Sequence, residues 1–245
     1  GLAAIGARRI KRPRSWNLEA IEDPEIATAY DRISDWPQFR LLRRVVAARV
    51  SRYRPSGTLV DVGCGPGRLA LLIAAQHPDL HVVGVDVAKE MVLAAAANAE
   101  SLGLSERVAF RLGDVVALPM PDGTVDFAVS TLSLHHWPDP ARGLFEIHRI
   151  LKPGGQLLLF DLRRDPRRFF YWLLRFGQAV VVPPALRRID EPLGSLLASY
   201  TEAELRNVFA GLPFDDWEIE GGAGWTFVWA SKETASSAGM HLVSE

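Results

Sequence analysis

The chain has 245 residues, of which 48% are apolar and 23% are charged, a balance that supports a folded core and excludes a disordered protein. Its 28 basic and 29 acidic residues leave a formal net charge of −1, which argues against a protein that coats nucleic acid with its whole surface. The single cysteine, Cys64, excludes an internal disulfide and a cysteine-based zinc site. We therefore expect one large domain in a reducing, cytoplasmic compartment.

The first 36 residues are weakly patterned and include a basic run without acidic residues. The basic residues are Arg8, Arg9, Lys11, Arg12 and Arg14. No apolar signal-peptide core follows them, and we expect a solvated tail, with contact to a membrane surface or to nucleic acid as the alternative. No stretch reaches the ~18 apolar residues of a membrane span, which leaves peripheral membrane contact open.

From Arg40 onward, short apolar runs alternate with helical patterns. The predicted helices span residues 40–53, 68–76, 88–102 and 140–151, and a further helix starts near Thr201. The predicted strands span residues 58–62, 82–86, 108–112, 125–130 and 156–161. Alternation at this spacing favours right-handed crossovers and a parallel sheet covered on both faces.

Two segments depart from this alternation. Residues 163–200 form an insertion rich in arginine and aromatic residues, and residues 217–229 alternate around a glycine pair as in a β-hairpin. The predicted fold class is therefore α/β, a doubly wound, Rossmann-like, mostly parallel seven-stranded sheet with a C-terminal antiparallel β-hairpin and helices on both faces.

A glycine-rich loop follows the first strand, where a ligand can approach bare backbone and a helix N-terminus. Asp86 ends the second strand nineteen residues after Gly67, where a carboxylate can accept hydrogen bonds from both hydroxyls of a ribose. The spacing is G-x-G-x-G, and Arg68 stands where a dinucleotide fingerprint has its third glycine. S-adenosylmethionine has no phosphate groups for such a loop to bind, so it fits this spacing better than NAD(P) does. An NAD(P)-dependent oxidoreductase is the rival functional class.

Several segments carry a family resemblance. They are Asp61-Val62-Gly63-Cys64-Gly65-Pro66-Gly67, Val85-Asp86, Gly113-Asp114 and Leu151-Lys152-Pro153-Gly154-Gly155. In this order they resemble the motifs of class I S-adenosylmethionine-dependent methyltransferases. The run Leu134-His135-His136-Trp137, with Glu146, Arg149 and Leu151, is similar to the subgroup of ubiquinone/menaquinone C-methyltransferases. The resemblance covers about residues 27–232 and is more specific for the cofactor than for the acceptor.

The resemblance implies a site for S-adenosylmethionine, which leaves as S-adenosylhomocysteine. Gly63, Cys64 and Gly65 would lie beside its methionine part, and Asp61 would contact the ammonium group. At the end of the fourth strand, Ser130 and Leu132 would border the methionine and the transferring methyl group.

The resemblance also implies contacts for the nucleoside part. Asp86 would hold the ribose hydroxyls, while Val87 and Met91 would pack near the adenine. Asp114 would accept from the adenine amino group and Val115 would donate its backbone N–H to the ring. Tyr30 resembles part of an N-terminal Tyr-Asp element that closes over the cofactor.

His135 and His136 are the candidate catalytic residues. Methylation at oxygen, nitrogen or a phenol-activated carbon benefits from proton removal, which a histidine can perform; the alternative is that the pair only shapes the acceptor entrance. Adjacent histidines face different ways and no third ligand accompanies them, so we predict no metal site. The run Ser130-Thr131-Leu132-Ser133 lacks the Asn/Asp-Pro-Pro-aromatic motif of amino-methylating nucleic-acid enzymes, and a nucleic-acid acceptor is disfavoured.

The insertion is the expected specificity element. Its apolar run from Phe169 to Phe176 and then Val180 to Pro184 predicts either a lid over an apolar acceptor or a helix packed on the sheet edge. The arginines beside it suit an anionic group or a membrane surface. They are Arg163, Arg164, Arg167, Arg168 and Arg175.

The predicted function is transfer of a methyl group from S-adenosylmethionine to a small-molecule acceptor, apolar or quinone-like. The alternatives are a non-catalytic S-adenosylmethionine-binding protein of the same fold and an NAD(P)-dependent oxidoreductase. We assign residues 1–36 to a basic tail and lid helix, 37–232 to the methyltransferase domain with its helical lid at 163–200, and 233–245 to a flexible tail. The oligomeric state is left undetermined.

Overall fold

A single sheet forms the centre of the molecule. The computed structural model describes residues 8–15 and 24–234, apart from the side chains of Pro24, Ile26 and Ala27. The strands are β1 (Thr58–Val62), β2 (His81–Asp86), β3 (Val108–Leu112), β4 (Val125–Thr131), β5 (Leu151–Leu162), β6 (Asp216–Gly221) and β7 (Trp225–Ser231). Their order across the sheet is β3-β2-β1-β4-β5-β7-β6. The first five run parallel and β7 pairs antiparallel with β5 and β6, which confirms the predicted fold class.

Helices cover both faces of the sheet. They are α1 (Pro24–Ser34), α2 (Pro37–Arg52), α3 (Arg68–Gln76), α4 (Lys89–Ser101), α5 (Pro140–Ile150), α6 (Arg168–Val180), α7 (Pro184–Arg188), α8 (Leu193–Ala198) and α9 (Glu202–Phe209). Successive strand residues point to opposite faces, so β1 contributes Leu59 to a core packed under α2 and α3 and Val60 to a core packed under α5 and α9.

Two helix starts follow directly from their sequences. The Thr201 hydroxyl accepts a hydrogen bond from the Glu204 amide, and the Glu204 carboxylate accepts one from the Thr201 amide at 2.7 Å, which forms a capping box. Asp139 caps α5 by accepting from the Arg142 amide at 3.0 Å, and Pro140 occupies the first turn. The predicted helices at 140 and near Thr201 are confirmed.

The fifth strand is longer than predicted. It begins at Leu151, which pairs with Val125, and pairing resumes five residues later between Gln156 and Phe127. The predicted strand began only at residue 156, and residues 152–155, which precede that prediction, are an irregularity inside the strand. Lys152 holds it by donating to both carboxylate oxygens of Asp126, at 2.8 and 2.7 Å.

The basic residues near the N-terminus are not a solvated tail where the structure describes them. Arg9 forms an antiparallel bridge with Arg167, the Ile10 amide donates to Pro166 and the Arg168 amide donates to Arg8, both at 3.0 Å. Residues 8–15 thus lie against the insertion, so the expectation of a loose tail is wrong for them. Residues 1–7 and 16–23 of the predicted N-terminal segment and the C-terminal tail from residue 235 lie outside the described residues, whereas residues 24–34 form α1.

The insertion at residues 163–200 is helical, as predicted, and consists of α6, α7 and α8. Its first two arginines do not serve a surface role, because both are buried. Arg163 pairs with Asp165 at 2.8 Å, and Arg164 pairs with Glu204 and donates to the Ser199 carbonyl at 2.7 Å. These bonds fix the base of the insertion to the start of α9.

Candidate active site

The predicted site residues lie at the carboxyl edge of the parallel strands. β2 and β3 lie on one side of β1, and β4 and β5 lie on the other. The chain therefore switches direction across the sheet between β1 and β4. In open α/β sheets, a ligand crevice forms at this switch point outside the strand ends.

The glycine loop is a short turn with left-handed backbone at Gly63, Gly65 and Gly67. The amides of Gly63 and Cys64 both donate to the Val85 carbonyl, at 2.8 and 3.1 Å. A side chain at Gly63 would lie 2.0 Å from the Ser133 hydroxyl, whereas one at Gly65 would meet no atom of the described residues within 4 Å. Gly65 therefore presents open backbone to the crevice.

Asp86 ends β2 and fastens the loop from the other side. Its carboxylate accepts from the Gly65 amide at 2.8 Å and from the Ala88 amide at 3.0 Å. Burial raises the pKa of Asp86, against the effect of these donors. The residue predicted to hold a ribose thus also fixes the conformation of the glycine loop.

Asp61 is a buried carboxylate, and one of its two oxygens lacks a hydrogen-bond donor among the described residues. Its side chain is 2% exposed, and the oxygen concerned is Oδ2. Burial, together with the charge of Asp86, raises the pKa of Asp61 to about 7. A buried acceptor without a donor fits a cationic ligand group, and the ammonium of the methionine part of S-adenosylmethionine is such a group.

Helix α1 lies against residues that the sequence predicts to contact the nucleoside part of the cofactor. Tyr30 packs on Ala88 and Met91, and Met91 is one of the two residues predicted to pack near the adenine. Arg68 donates to the Asp31 carboxylate at 3.2 and 3.0 Å and pairs with Asp35 at 3.2 Å. From the sequence, Arg68 was notable only because it stands where a dinucleotide fingerprint has its third glycine. In the structure it joins the glycine loop to α1.

The end of β4 combines a satisfied hydroxyl with unusual backbone. Ser130 is buried and donates to the Val62 carbonyl at 2.7 Å, which ties β4 to β1. Leu132 has φ +54°, a left-handed conformation that a non-glycine residue adopts only when its surroundings impose it, and such residues cluster at functional sites. It directs the chain into the 3₁₀ turn Leu134–His136.

His135 forms a buried dyad with Asp161, which lies near the end of β5. Nδ1 lies 2.7 Å from the Asp161 carboxylate, which also accepts the His135 amide at 3.0 Å. Burial opposes the charged ring, but the charge and hydrogen bond of Asp161 and the charge of Glu191 outweigh it and raise the pKa of His135. In the neutral ring, an Nδ1–H donated to Asp161 leaves Nε2 as an acceptor, for which no described residue supplies a partner.

Sequence reasoning singled out His135 but missed Asp161 and Glu191. The missed signal for Asp161 was its place near the carboxyl end of a predicted strand, the same place in the fold as Asp86. Glu191 precedes a cis-proline, Pro192, in the insertion, and accepts from the Ser195 hydroxyl at 2.7 Å. No sequence signal relates Glu191 to His135, because only the folded insertion brings them together.

The other predicted residues divide by environment. Cys64 and Met91 are buried, and burial raises the pKa of the Cys64 thiol, as expected of a small loop residue rather than a nucleophile. Val87 is 69% exposed at the crevice edge, Asp114 accepts from the Val116 amide at 3.1 Å, and Val115 packs against the core. The His136 ring lies 3.9 Å from that of His135, centroid to centroid.

Comparison with known proteins identifies the family. A family model described as a methyltransferase domain matches residues 60–159. The demethylmenaquinone methyltransferase of Thermus thermophilus is 32% identical over 163 residues, which cover 65% of this chain and 72% of that protein. The chain belongs to the S-adenosylmethionine-dependent methyltransferases.

Other similarities extend over more of this methyltransferase. The ubiquinone/menaquinone biosynthesis C-methyltransferase UbiE of Geotalea uraniireducens is 28% identical over 83% of this chain and 92% of its own length. A solved structure from Methanococcus maripaludis, described as an S-adenosylmethionine-dependent methyltransferase, has a TM-score of 0.68 at 24% identity and covers 89% of this chain and 97% of its own. The aligned segment covers only 30% of another relative, an uncharacterized 37.1 kDa protein in transposon TN4556 of Streptomyces fradiae that is 41% identical over 43% of this chain. The comparisons do not favour an oxidoreductase or a non-catalytic protein.

Proposed function

We propose that this methyltransferase acts on an apolar acceptor with a weakly acidic hydroxyl, such as a quinol, and that His135 removes the hydroxyl proton. The observation that carries the proposal is the buried His135–Asp161 dyad beneath an apolar lid. When bound, S-adenosylmethionine supplies an electrophilic methyl group. The chain itself must orient the acceptor, exclude water and accept the proton.

The dyad has the features of a positioned base. Asp161 fixes the ring through Nδ1 and through the backbone amide of His135, so Nε2 has one direction in which to accept a proton. Glu191 in the lid is also acidic and stabilises the imidazolium that forms, and its effect is opposed by the more weakly acting charge of Arg14. Proton removal would make either the acceptor oxygen or the ring carbon beside it more nucleophilic.

The names of two relatives support a quinone-type acceptor. Those of Thermus thermophilus and Geotalea uraniireducens are named for menaquinone and ubiquinone synthesis. Methylation of such a ring at carbon begins from the ionised hydroxyl, so one base serves both carbon and oxygen methylation. The cytoplasmic location stays a prediction from the sequence.

Access to His135 requires the lid to move. His135 is 2% exposed, and α8 together with Glu191 lies over the 3₁₀ turn that carries it. An acceptor can reach Nε2 only when this part of the insertion is displaced. A lid of this kind also excludes water once the acceptor is bound.

The test measures turnover of S-adenosylmethionine with a reduced naphthoquinol lacking the ring methyl group. The product would be identified by mass spectrometry, which distinguishes carbon from oxygen methylation by fragmentation. His135→Ala should lower kcat by about 100- to 10,000-fold and leave cofactor affinity unchanged. The matched control is His81→Ala, since His81 is exposed at the start of β2.

The pH profile distinguishes a base from a packing residue. The pKa of His135 is raised above 6.5. As the pH rises through that pKa, the fraction of enzyme with a neutral His135 ring increases, and kcat should increase with it. Asp161→Asn should move the midpoint to lower pH as well as lower kcat. Full turnover by His135→Ala, or a midpoint that Asp161→Asn does not move, would contradict the proposed role.

Cofactor binding is tested separately by calorimetry with S-adenosylmethionine, S-adenosylhomocysteine and NADH. We expect both sulfur ligands to bind, NADH not to bind, and Asp86→Ala to weaken binding. Cofactor binding without turnover of any quinol would refute the proposed acceptor while leaving the family assignment in place.

A further inference from the structure

Helix α6 exposes an apolar face that the fold does not cover. Phe169, Trp172, Leu173, Phe176 and Val180 fall at helical spacing on one side, and each is between 53% and 65% exposed. The opposite side is anchored by Tyr171, which is buried, and α6 packs there against α8. Six of the 13 large apolar side chains that are exposed in the described residues lie between Phe169 and Val181.

Exposed cations surround this apolar face. Residues 166–188 contain five arginines and no acidic residue, and Arg167, Arg168 and Arg175 are exposed at the start and middle of α6. The acidic residue just before them, Asp165, is engaged by Arg163 at 2.8 and 3.0 Å.

The N-terminal segment adds to the same basic surface. Its backbone pairs with residues 166–168, which brings exposed Arg8, Lys11 and Arg12 beside the start of α6. The Arg12 guanidinium lies over the Tyr171 ring at 6.0 Å, on the side of α6 that faces the protein. Two sequence segments more than 150 residues apart therefore place exposed cations around the start of α6.

We propose that the exposed face of α6 binds the surface of an anionic lipid bilayer, with the aromatic side chains in the interface and the arginines at the headgroups. An amphipathic helix with bulky apolar residues on one face and cations on its border has the physical features of an interfacial helix, and anionic lipid attracts clustered Lys and Arg. No described helix is long and apolar enough to cross a bilayer, so the contact proposed is peripheral. It goes beyond the proposed function, because vesicle binding requires no turnover.

The charge distribution favours a bilayer over a second copy of the chain. In a symmetric dimer the same patch would face itself, and the cations around α6 would lie opposite one another. Like charges oppose such a contact, whereas anionic headgroups neutralise all of them at once.

The location of the face also has a consequence for the site. α6 packs on α8, and α8 packs on the turn that carries His135. A bilayer bound to α6 would therefore contact the outer surface of the lid that covers the dyad, where a lipid-soluble acceptor would arrive.

The experiment is sedimentation of the full chain with vesicles of phosphatidylcholine alone and with phosphatidylglycerol added. We expect binding to the anionic vesicles only, weakened at high salt. The double variant Trp172→Glu/Leu173→Glu should lose binding by at least tenfold. Leu102→Glu is the matched control, since Leu102 is 60% exposed at the end of α4, at the other edge of the sheet.

A second pair of variants keeps the apolar face intact. Arg167→Gln and Arg168→Gln should each weaken binding by about fivefold, as expected for ~1 kcal/mol per cation at an anionic surface, while Arg52→Gln at the end of α2 should not. Absence of binding to anionic vesicles, equal binding to neutral vesicles, or a dimer that the Trp172→Glu/Leu173→Glu variant dissociates would each overturn the proposal.

Discussion

The glycine-loop side of the site and the lid side differ in the segments that build them. On the loop side, Gly63, Cys64 and Gly65 donate to Val85 and Asp86 at the end of the neighbouring strand β2. On the lid side, His135 in the turn after β4 bonds to Asp161 of β5 through its ring and its amide, and the insertion adds the charge of Glu191. The loop side therefore depends on two adjacent strands of the sheet, whereas the lid side also depends on a segment outside the sheet.

The two sides also treat their buried charges differently. Asp61 lies beside another acidic residue and has an oxygen without a donor, so the unliganded site is electrostatically incomplete. His135 has its own counter-charge in Asp161. We therefore expect a cationic ligand to complete the loop side, and an acceptor hydroxyl to meet Nε2 of His135 on the lid side.

The largest effect is expected from Gly63→Ala. Gly63 has φ +71° and its new Cβ would collide with Ser133, so left-handed strain and overpacking together should cost roughly 2–5 kcal/mol of folding stability. Cofactor binding should fall below detection in calorimetry. Gly103→Ala is the control, because Gly103 has φ +66° and a Cβ there would meet no atom of the described residues within 4 Å. This variant has the left-handed strain without the overpacking, so urea unfolding should show a loss of only about 1–2 kcal/mol. Equal destabilisation by the two variants would show that contact with Ser133 does not constrain the loop.

An intermediate effect is expected from the titration of Asp61. Its pKa of about 7 means that the protein must release a proton to bind an ammonium group, so affinity for S-adenosylmethionine should fall as the pH is lowered. Between pH 8 and 6 the dissociation constant should rise about tenfold. Calorimetry in buffers of different ionisation enthalpy measures the released proton directly.

Asp61→Asn should bind more weakly at pH 8 and lose this pH dependence. The tenfold change would persist in the variant if another group, such as Asp86, were responsible. That result would show that Asp61 does not cause the pH dependence of cofactor affinity. It would also remove the proposed difference between Asp61, which lacks a counter-charge, and His135, which has one.

The smallest effect is expected from the Arg68–Asp31 ion pair, which joins the glycine loop to α1. Both side chains are partly exposed, at 25% and 32%, so screening limits the coupling to about 0.5 kcal/mol. Arg68→Gln and Asp31→Asn should each weaken cofactor binding by about two- to threefold, because α1 carries Tyr30 against Ala88 and Met91.

A double-mutant cycle on cofactor affinity tests this link. The two substitutions should be less than additive, whereas Arg206→Gln, which removes an ion pair within α9, should have no effect. Strict additivity would mean that α1 and the loop act independently.

The parts of the molecule that sequence reasoning predicted well share one property. Strands, crossover helices and the glycine loop depend on periodicity and on left-handed glycines close together in the chain, and their positions were confirmed within a few residues. The errors lay where distant contacts decide. The irregularity at residues 152–155 depends on Lys152 reaching Asp126, and the order of residues 8–15 depends on pairing with the insertion.

The sequence alone determined the fold class and the location of the glycine loop, because these follow from local patterns of burial, turn geometry and spacing, and its motifs carry the resemblance that indicated the family. Only the tertiary structure decided that His135 pairs with Asp161 and that Arg68 pairs with Asp31 and Asp35. It also decided which arginines of the insertion are exposed. Ionisable side chains are governed by what surrounds them, and that neighbourhood is assembled from segments as far apart as Arg12 and Arg164. Burial and charge pairing are properties of the fold, so no stretch of sequence records them.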